Sequence, residues 1–230
     1  MSGRRSGAGA GRAAVLDRLR TSLGVGAEDA DRRVAVQKRM YNHARHLIPA
    51  RAHEPNPKVR LVEMLEGQSA DVIDVDGEAA IAGAIAAYLR DNNLPARVRH
   101  GADPLFETID WRGAPGVERE VGPAKPGTVA SLSRAVGAAA ETGTLFLASG
   151  PDNPTTLNFL PEVHIVLLFE DEIVGPYEDL WDRLRAHHGE RALPRTVNLI
   201  SGPSRTADIE QTLTLGAHGP KRLCVMLIAR

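Results

Sequence analysis

Two runs, "VHIVLLF" at Val163–Phe169 and "LCVMLIA" at Leu223–Ala229, are apolar at every position except His164. A strand with one face in water alternates apolar and polar residues, so an unbroken run marks a strand covered on both faces. Helices on each side of a parallel sheet provide that cover, and the chain has candidates for them. "KVRLVEMLEGQ", "EAAIAGAIAAYLRDNNL" and "YEDLWDRLRAHH" have helical spacing, and they alternate with strand-like "ADVIDVD", "ARVRHG", "GTLFLAS" and "RTVNLIS". "GTVASLSRAVGAAAE" and "TADIEQTLTLG" also read as helices. Trp181, spaced with Leu180 and Leu184, reads as core packing. The expected fold is α/β, a three-layer sandwich with a mostly parallel sheet over residues 58–230. A helical extension and linker over residues 12–57 precede it, closed by "HEPNP", and residues 1–11 read as a disordered tail.

The 230 residues carry 28 Lys+Arg against 29 Asp+Glu, a net charge of −1. No global field therefore draws the chain to nucleic acid or to an anionic membrane, and neither is expected as a partner. The basic stretch 31–51 reads as a solvated face or a subunit contact. No segment approaches the ~18 apolar residues of a membrane span, and the first residues lack the apolar core of a secretory signal. Cys224 is the only cysteine. An internal disulfide is therefore impossible, and an iron–sulfur cluster, with its usual four cysteine ligands, cannot be held by this chain alone. A cytoplasmic protein with no cofactor of its own is expected, Cys224 being a small core residue.

Familiar chemical motifs fail on inspection. "GAGAG" at Gly7–Gly11 follows no strand, and "GPAKPGT" at Gly122–Thr128 lacks the lysine of a phosphate loop. The eight histidines form no HxH or HExxH pattern, so no metal site is expected, and there is no GxSxG elbow for a hydrolase. His164 reads as a satisfied strand histidine.

In open α/β sheets, ligands bind beyond the carboxyl ends of the strands, near the free N–H groups of helix starts. Two loops have that placement. In "SGPSRTAD" after Ile200, Gly202 and Pro203 shape the turn, and Ser204 or Thr206 caps the helix expected to follow. Arg205 would then oppose the helix dipole, a mismatch of about 0.3–1 kcal/mol. A bound carboxylate or phosphate would relieve it, and so would pairing with Asp208 or another carboxylate. In "AAETGTLFLASGPDNP", Glu141 falls at an expected helix end. It is either an acid, base or nucleophile, or an acceptor for loop amides. Ser149, Gly150, Asp152 and Asn153 follow the next strand, also where a ligand would bind. His218, between Ala217 and Gly219, is either a general base or anion donor, or a plain turn histidine. The catalytic candidates are Glu141 and His218. The ligand-binding candidates are Gly143, Ser201, Gly202, Ser204, Arg205, Thr206, Asp208 and Gly219.

"ETGTLFLAS", "LPEVHIVLL", "YEDLWDRL", "NLISGPSRTADIEQTLTLGAHGPKRLCVMLI" and the opening helix together resemble the lactate-utilisation protein C family, whose core is the LUD domain. The resemblance spans residues 12–230 and is strongest after Glu141. The chain departs from the family in its basic second helix, at His53–Pro57 and in "SGPDNP". The resemblance implies the fold of the sugar-phosphate isomerase and CoA-transferase superfamily (NagB/RpiA/CoA transferase-like). It also implies an accessory role in a system that oxidises L-lactate to pyruvate, beside two cysteine-rich iron–sulfur partners and with a small carboxylate or other anion bound. The alternative is a stand-alone enzyme acting on an acyl-CoA or sugar-phosphate-like substrate, with Glu141 reactive.

Overall fold

The computed structural model describes residues 7–26, 29–42, 47–189, 193–207 and 213–230. The chain divides into two compact units, Met1–Leu47 and Ile48–Arg230. The first holds helices α1 (Gly7–Leu23) and α2 (Ala30–Tyr41), the latter capped by the Asp29 carboxylate, which accepts from the Arg32 N–H at 3.0 Å. Val15, Leu16, Leu19 and Leu23 of α1 are exposed. Helix α1 starts within the residues expected as a tail, and the division between units comes ahead of "HEPNP" rather than after it.

In the second unit, Asn56 caps helix α3 (Pro57–Gly67), with Pro57 at a first-turn position where its missing N–H costs nothing. Then come β1 (Asp71–Val75), α4 (Ile81–Asp91), β2 (Arg97–His100), α5 (Leu105–Thr108), β3 (Glu118–Val121) and β4 (Ala130–Arg134). Next are β5 (Gly137–Ala139), β6 (Thr144–Ala148), α6 (Thr156–Phe159), β7 (Val163–Phe169), β8 (Ile173–Val174) and α7 (Tyr177–His188). The chain closes with β9 (Val197–Ile200), β10 (Arg205–Ala207), β11 (Leu213–Leu215) and β12 (Arg222–Ile228).

The two apolar runs are β7 and β12, neighbours inside a six-stranded sheet of order β1-β12-β7-β4-β2-β3 in which every pair is parallel. The two-residue period of β7 explains why both faces must be apolar. Ile165 and Leu167 turn to one side, where they meet Ile81, Ile85 and Leu89 of α4 and Phe106 of α5. Val166 and Leu168 turn to the other, against Leu61 and Leu65 of α3 and Leu145 and Leu147 of β6. Each such side chain contributes about 1.5–3 kcal/mol of burial.

A four-stranded sheet of order β8-β5-β6-β9 shares that second face with α3. Helix α7 covers its far side, with Leu180 against Phe146 and the Trp181 ring 5.1 Å from that of Phe146. This sheet corrects the sequence reading of "GTVASLSRAVGAAAE", which forms β4 and β5 rather than a helix. The small residues there, Ser131, Ser133, Ala138 and Ala139, are buried between layers. A Cβ on Gly137 would stand 2.7 Å from the Glu172 carbonyl oxygen. Close layer packing has overridden the helix propensity of alanine. Of "TADIEQTLTLG", the described ends are strands rather than helix: β10 pairs antiparallel with β11.

Because every strand of the large sheet runs the same way, it has an amino edge (Asp71, Ala130, Val163, Arg222) and a carboxyl edge (Val75, His100, Arg134, Phe169, Ile228).

Candidate functional site

The "SGPSR" and "AHGP" segments lie together at the amino edge, just ahead of β12. The Ser204 N–H donates to the Pro220 carbonyl at 2.8 Å, and the Gly216 N–H to the Ser204 carbonyl at 3.0 Å. His218 is exposed, and its backbone N–H points to the Ser204 hydroxyl at 3.3 Å. Gly219 packs on Ser204. Arg205 does not begin a helix. Its Nη2 donates at 2.6 Å to the carbonyl of Gln68, the residue that closes α3. The cation therefore stands at the negative pole of a helix, a favourable placement and the reverse of the expected mismatch. Thr206 lies in β10, and Asp208 falls outside the described residues.

Glu141 follows β5 rather than a helix and opens a turn in which Gly143 has φ +67°. A Cβ on Gly143 would lie 2.6 Å from Cβ of Met64, so both conformation and space require glycine. The Glu141 carboxylate is buried, and its Oε1 accepts from the N–H of Tyr177, first residue of α7, at 3.2 Å. An anion at that helix start is stabilised by the dipole. Oε2 is buried with no partner among the described residues. Beside it runs a chain of hydroxyls: Tyr177 OH lies 2.7 Å from Thr142 and 2.6 Å from Thr144, and Thr144 reaches Ser201 at 2.7 Å. The last turn of α3 abuts both Gly143 and Gly202. Direct contacts thus unite Glu141, its turn and Ser201. Among the described residues no contact joins the Glu141 carboxylate to Arg205 or His218.

At the carboxyl edge the fold leaves a cleft of about 580 Å³. One wall is the loop Ser149–Asn153, seated on the end of β2, where the Ala102 N–H donates to the Pro151 carbonyl at 3.0 Å. Gly101 touches this loop so closely that a Cβ would stand 1.9 Å from the Asp152 carbonyl oxygen. The facing wall holds Arg134, Glu172 and Arg183, which sequence reasoning missed. Arg134 falls in a segment whose sequence reads as a helix, and Glu172 is one acid in the run "EDE" with no distinguishing spacing. Glu141, Arg205 and His218 do not line this cleft. Strand β6 runs between the two regions, and its ends, Thr144 and Ala148, are about 14 Å apart at strand rise.

His164 and Cys224 lie in the core of the large sheet. His164 is fully buried with Nε2 3.0 Å from the Ser133 hydroxyl, and burial pushes its pKa down to about 3. Cys224 is buried in β12, and burial raises its pKa. Among the described residues no cluster of three or more His, Cys, Asp or Glu could hold a metal ion, and no helix is long and apolar enough to cross a membrane.

The segments that build both regions, from Gly127 onward, match the LUD domain family model over residues 127–228. Over that stretch the chain is similar to the LUD domain. A Neisseria meningitidis protein is 34% identical over 145 residues, 61% of either chain. The lactate utilization protein C of Halalkalibacterium halodurans is 38% identical over 91 residues, 39% of either chain. The chain thus spans less than two thirds of the length of these curated relatives. A crystal structure of a DUF162 family protein from Deinococcus radiodurans covers 79% of this chain and 99% of its own, with TM-score 0.57 and 23% identity. That likeness concerns the fold. The matched residues 127–228 include Glu141, Arg205 and His218 together with Arg134, Glu172 and Arg183.

Proposed function

We propose that this protein serves lactate utilisation as an accessory subunit of a system that oxidises L-lactate to pyruvate in the cytoplasm. The observation that carries this reading is the 38% identity over 91 residues with a protein named for lactate utilisation. Two cysteine-rich iron–sulfur proteins are its partners, since the single cysteine here is buried in β12 and cannot supply a cluster. A small carboxylate or other anion binds at the amino edge, on the exposed Arg205 guanidinium and the loop Ser201–Ser204.

Growth on L-lactate with co-purification tests this. The tagged wild-type protein, isolated from lactate-grown cells, should bring down two iron–sulfur proteins and contain no iron or sulfide once they are removed. Arg205→Ala should fold normally and fail to support growth on lactate. Isolation alone from lactate-grown cells, or normal growth of the variant, would count against the reading.

The Glu141 carboxylate favours one alternative, a stand-alone enzyme using an acyl-CoA or sugar-phosphate-like substrate. A buried carboxylate with one unpartnered oxygen has the character of a nucleophile or base. Turnover by the isolated chain, lost in Glu141→Gln, would select this alternative.

A further inference from the structure

The carboxyl-edge cleft carries a second, independent observation. Oε1 of Glu172 accepts from Arg134 Nη2 at 2.9 Å and lies 3.3 Å from Arg183 Nη2 and 3.7 Å from Arg230 Nη2. Arg230 also pairs with Asp171. Of these groups Arg134, Arg183 and Glu172 line the cleft, so two guanidinium groups against one carboxylate leave one positive charge in excess on this wall. The Arg134 and Arg183 side chains are about a third exposed, at 32% and 36%, so they still have N–H groups to offer a ligand. Oε2 of Glu172, a residue only 3% exposed, has no partner among the described residues.

The opposite wall has the complementary character. Asn153 is 5% exposed, and its Nδ2 donates to the Ala148 carbonyl. That bond fixes the amide orientation, because the oxygen could not face a carbonyl, and Oδ1 is left buried without a partner. Asp103 and Asp152 stand on the same side. Buried acceptors left unmet cost about 1–3 kcal/mol each, which a donor from a ligand would recover. The carboxylates repel a second anion there and favour hydroxyl donors. The cleft is also far larger than a three-carbon acid, and lies within the range of roughly 300–1,000 Å³ typical of ligand pockets.

We propose that this cleft binds an anionic polyhydroxyl compound, with its carboxylate or phosphate on Arg134 and Arg183 and its hydroxyls donating to Asn153 and Glu172. The site is separate from the amino-edge anion site, so either can fail without the other.

Calorimetric titration of the full chain with gluconate, sorbitol phosphate, sorbitol, L-lactate and inorganic phosphate tests the assignment. At least one of the first two should bind about tenfold more tightly than each of the other three, as expected when an arginine contact and hydroxyl contacts are both required. The tighter of the pair identifies the head group. Arg183→Gln should weaken that compound about tenfold while keeping the melting temperature, since Glu172 retains Arg134. If that variant does not fold, Arg183→Lys, which keeps the charge but loses the planar fork, should still weaken binding at least threefold. Sorbitol, L-lactate or inorganic phosphate binding as well as both anionic polyols would overturn the proposal. So would absence of binding by both polyols, or folded Arg183 variants that bind like the wild type.

Discussion

The two edges of the parallel sheet use their polar residues in opposite ways. At the amino edge, where the recognisable segments "ETGT", "SGPSR" and "AHGP" meet, most groups have partners within the protein. The Thr142–Tyr177–Thr144–Ser201 hydroxyls satisfy one another, Arg205 reaches the end of α3, and Ser204 takes the His218 N–H. At the carboxyl edge, residues without a motif surround open volume, and acceptors on both walls lack partners. A distinctive sequence pattern therefore marks a demanding backbone arrangement as readily as a ligand.

The largest effect that would sharpen this contrast concerns His164, buried near the start of β7. The folded protein holds it neutral to about pH 3, whereas the unfolded chain takes up the proton below about pH 6.5. The unfolded state binds more protons between those values, so stability falls as pH is lowered through that window, by about 3 kcal/mol at pH 4. His164→Gln, which can keep the bond to Ser133, should flatten this loss in denaturant melts recorded from pH 7 to pH 4. An unchanged slope would remove His164 from the cause.

Next come the two glycines that fix the turns. Gly143→Ala forces a left-handed conformation and a contact with Met64, and Gly101→Ala drives a methyl into the Asp152 carbonyl. Each should cost about 2–3 kcal/mol in urea unfolding. Only Gly101→Ala should disturb the cleft, so a loss of gluconate or sorbitol phosphate affinity confined to that variant would separate the edges. Tyr177→Phe removes the hydroxyl that joins Thr142 and Thr144, and a loss of about 1 kcal/mol is expected. The smallest change is Arg205→Ala, below about 0.5 kcal/mol because the side chain is exposed. A loss of several kcal/mol there would make Arg205 architectural and break the contrast.

The parallel sheet was legible because burial on both faces removes the alternation of a strand, and β7 and β12 carry that mark in consecutive residues. The small-residue strands β4 and β5 were not. Alanine and serine have no pattern that separates a tight layer contact from a helix, and only the neighbours Glu172 and Leu180 decide between them. Part of the cleft was readable, since Ser149–Asn153 follows a strand. Its charged wall was not, because Arg134, Glu172 and Arg183 are distant in sequence and meet only after β5 and β8 pair. The rule that ligands lie beyond strand ends was applied to β9, a member of the smaller sheet; the edge of the larger sheet points to the cleft.

Cys224, described above as a filler in β12, also gives the protein an internal clock. As the only thiol, fully enclosed in the second strand of the sheet and shifted away from its reactive thiolate form, it is silent to alkylating reagents while β1, β12 and β7 stay paired. Its labelling rate in native buffer therefore counts how often the middle of the sheet opens, without any probe being introduced.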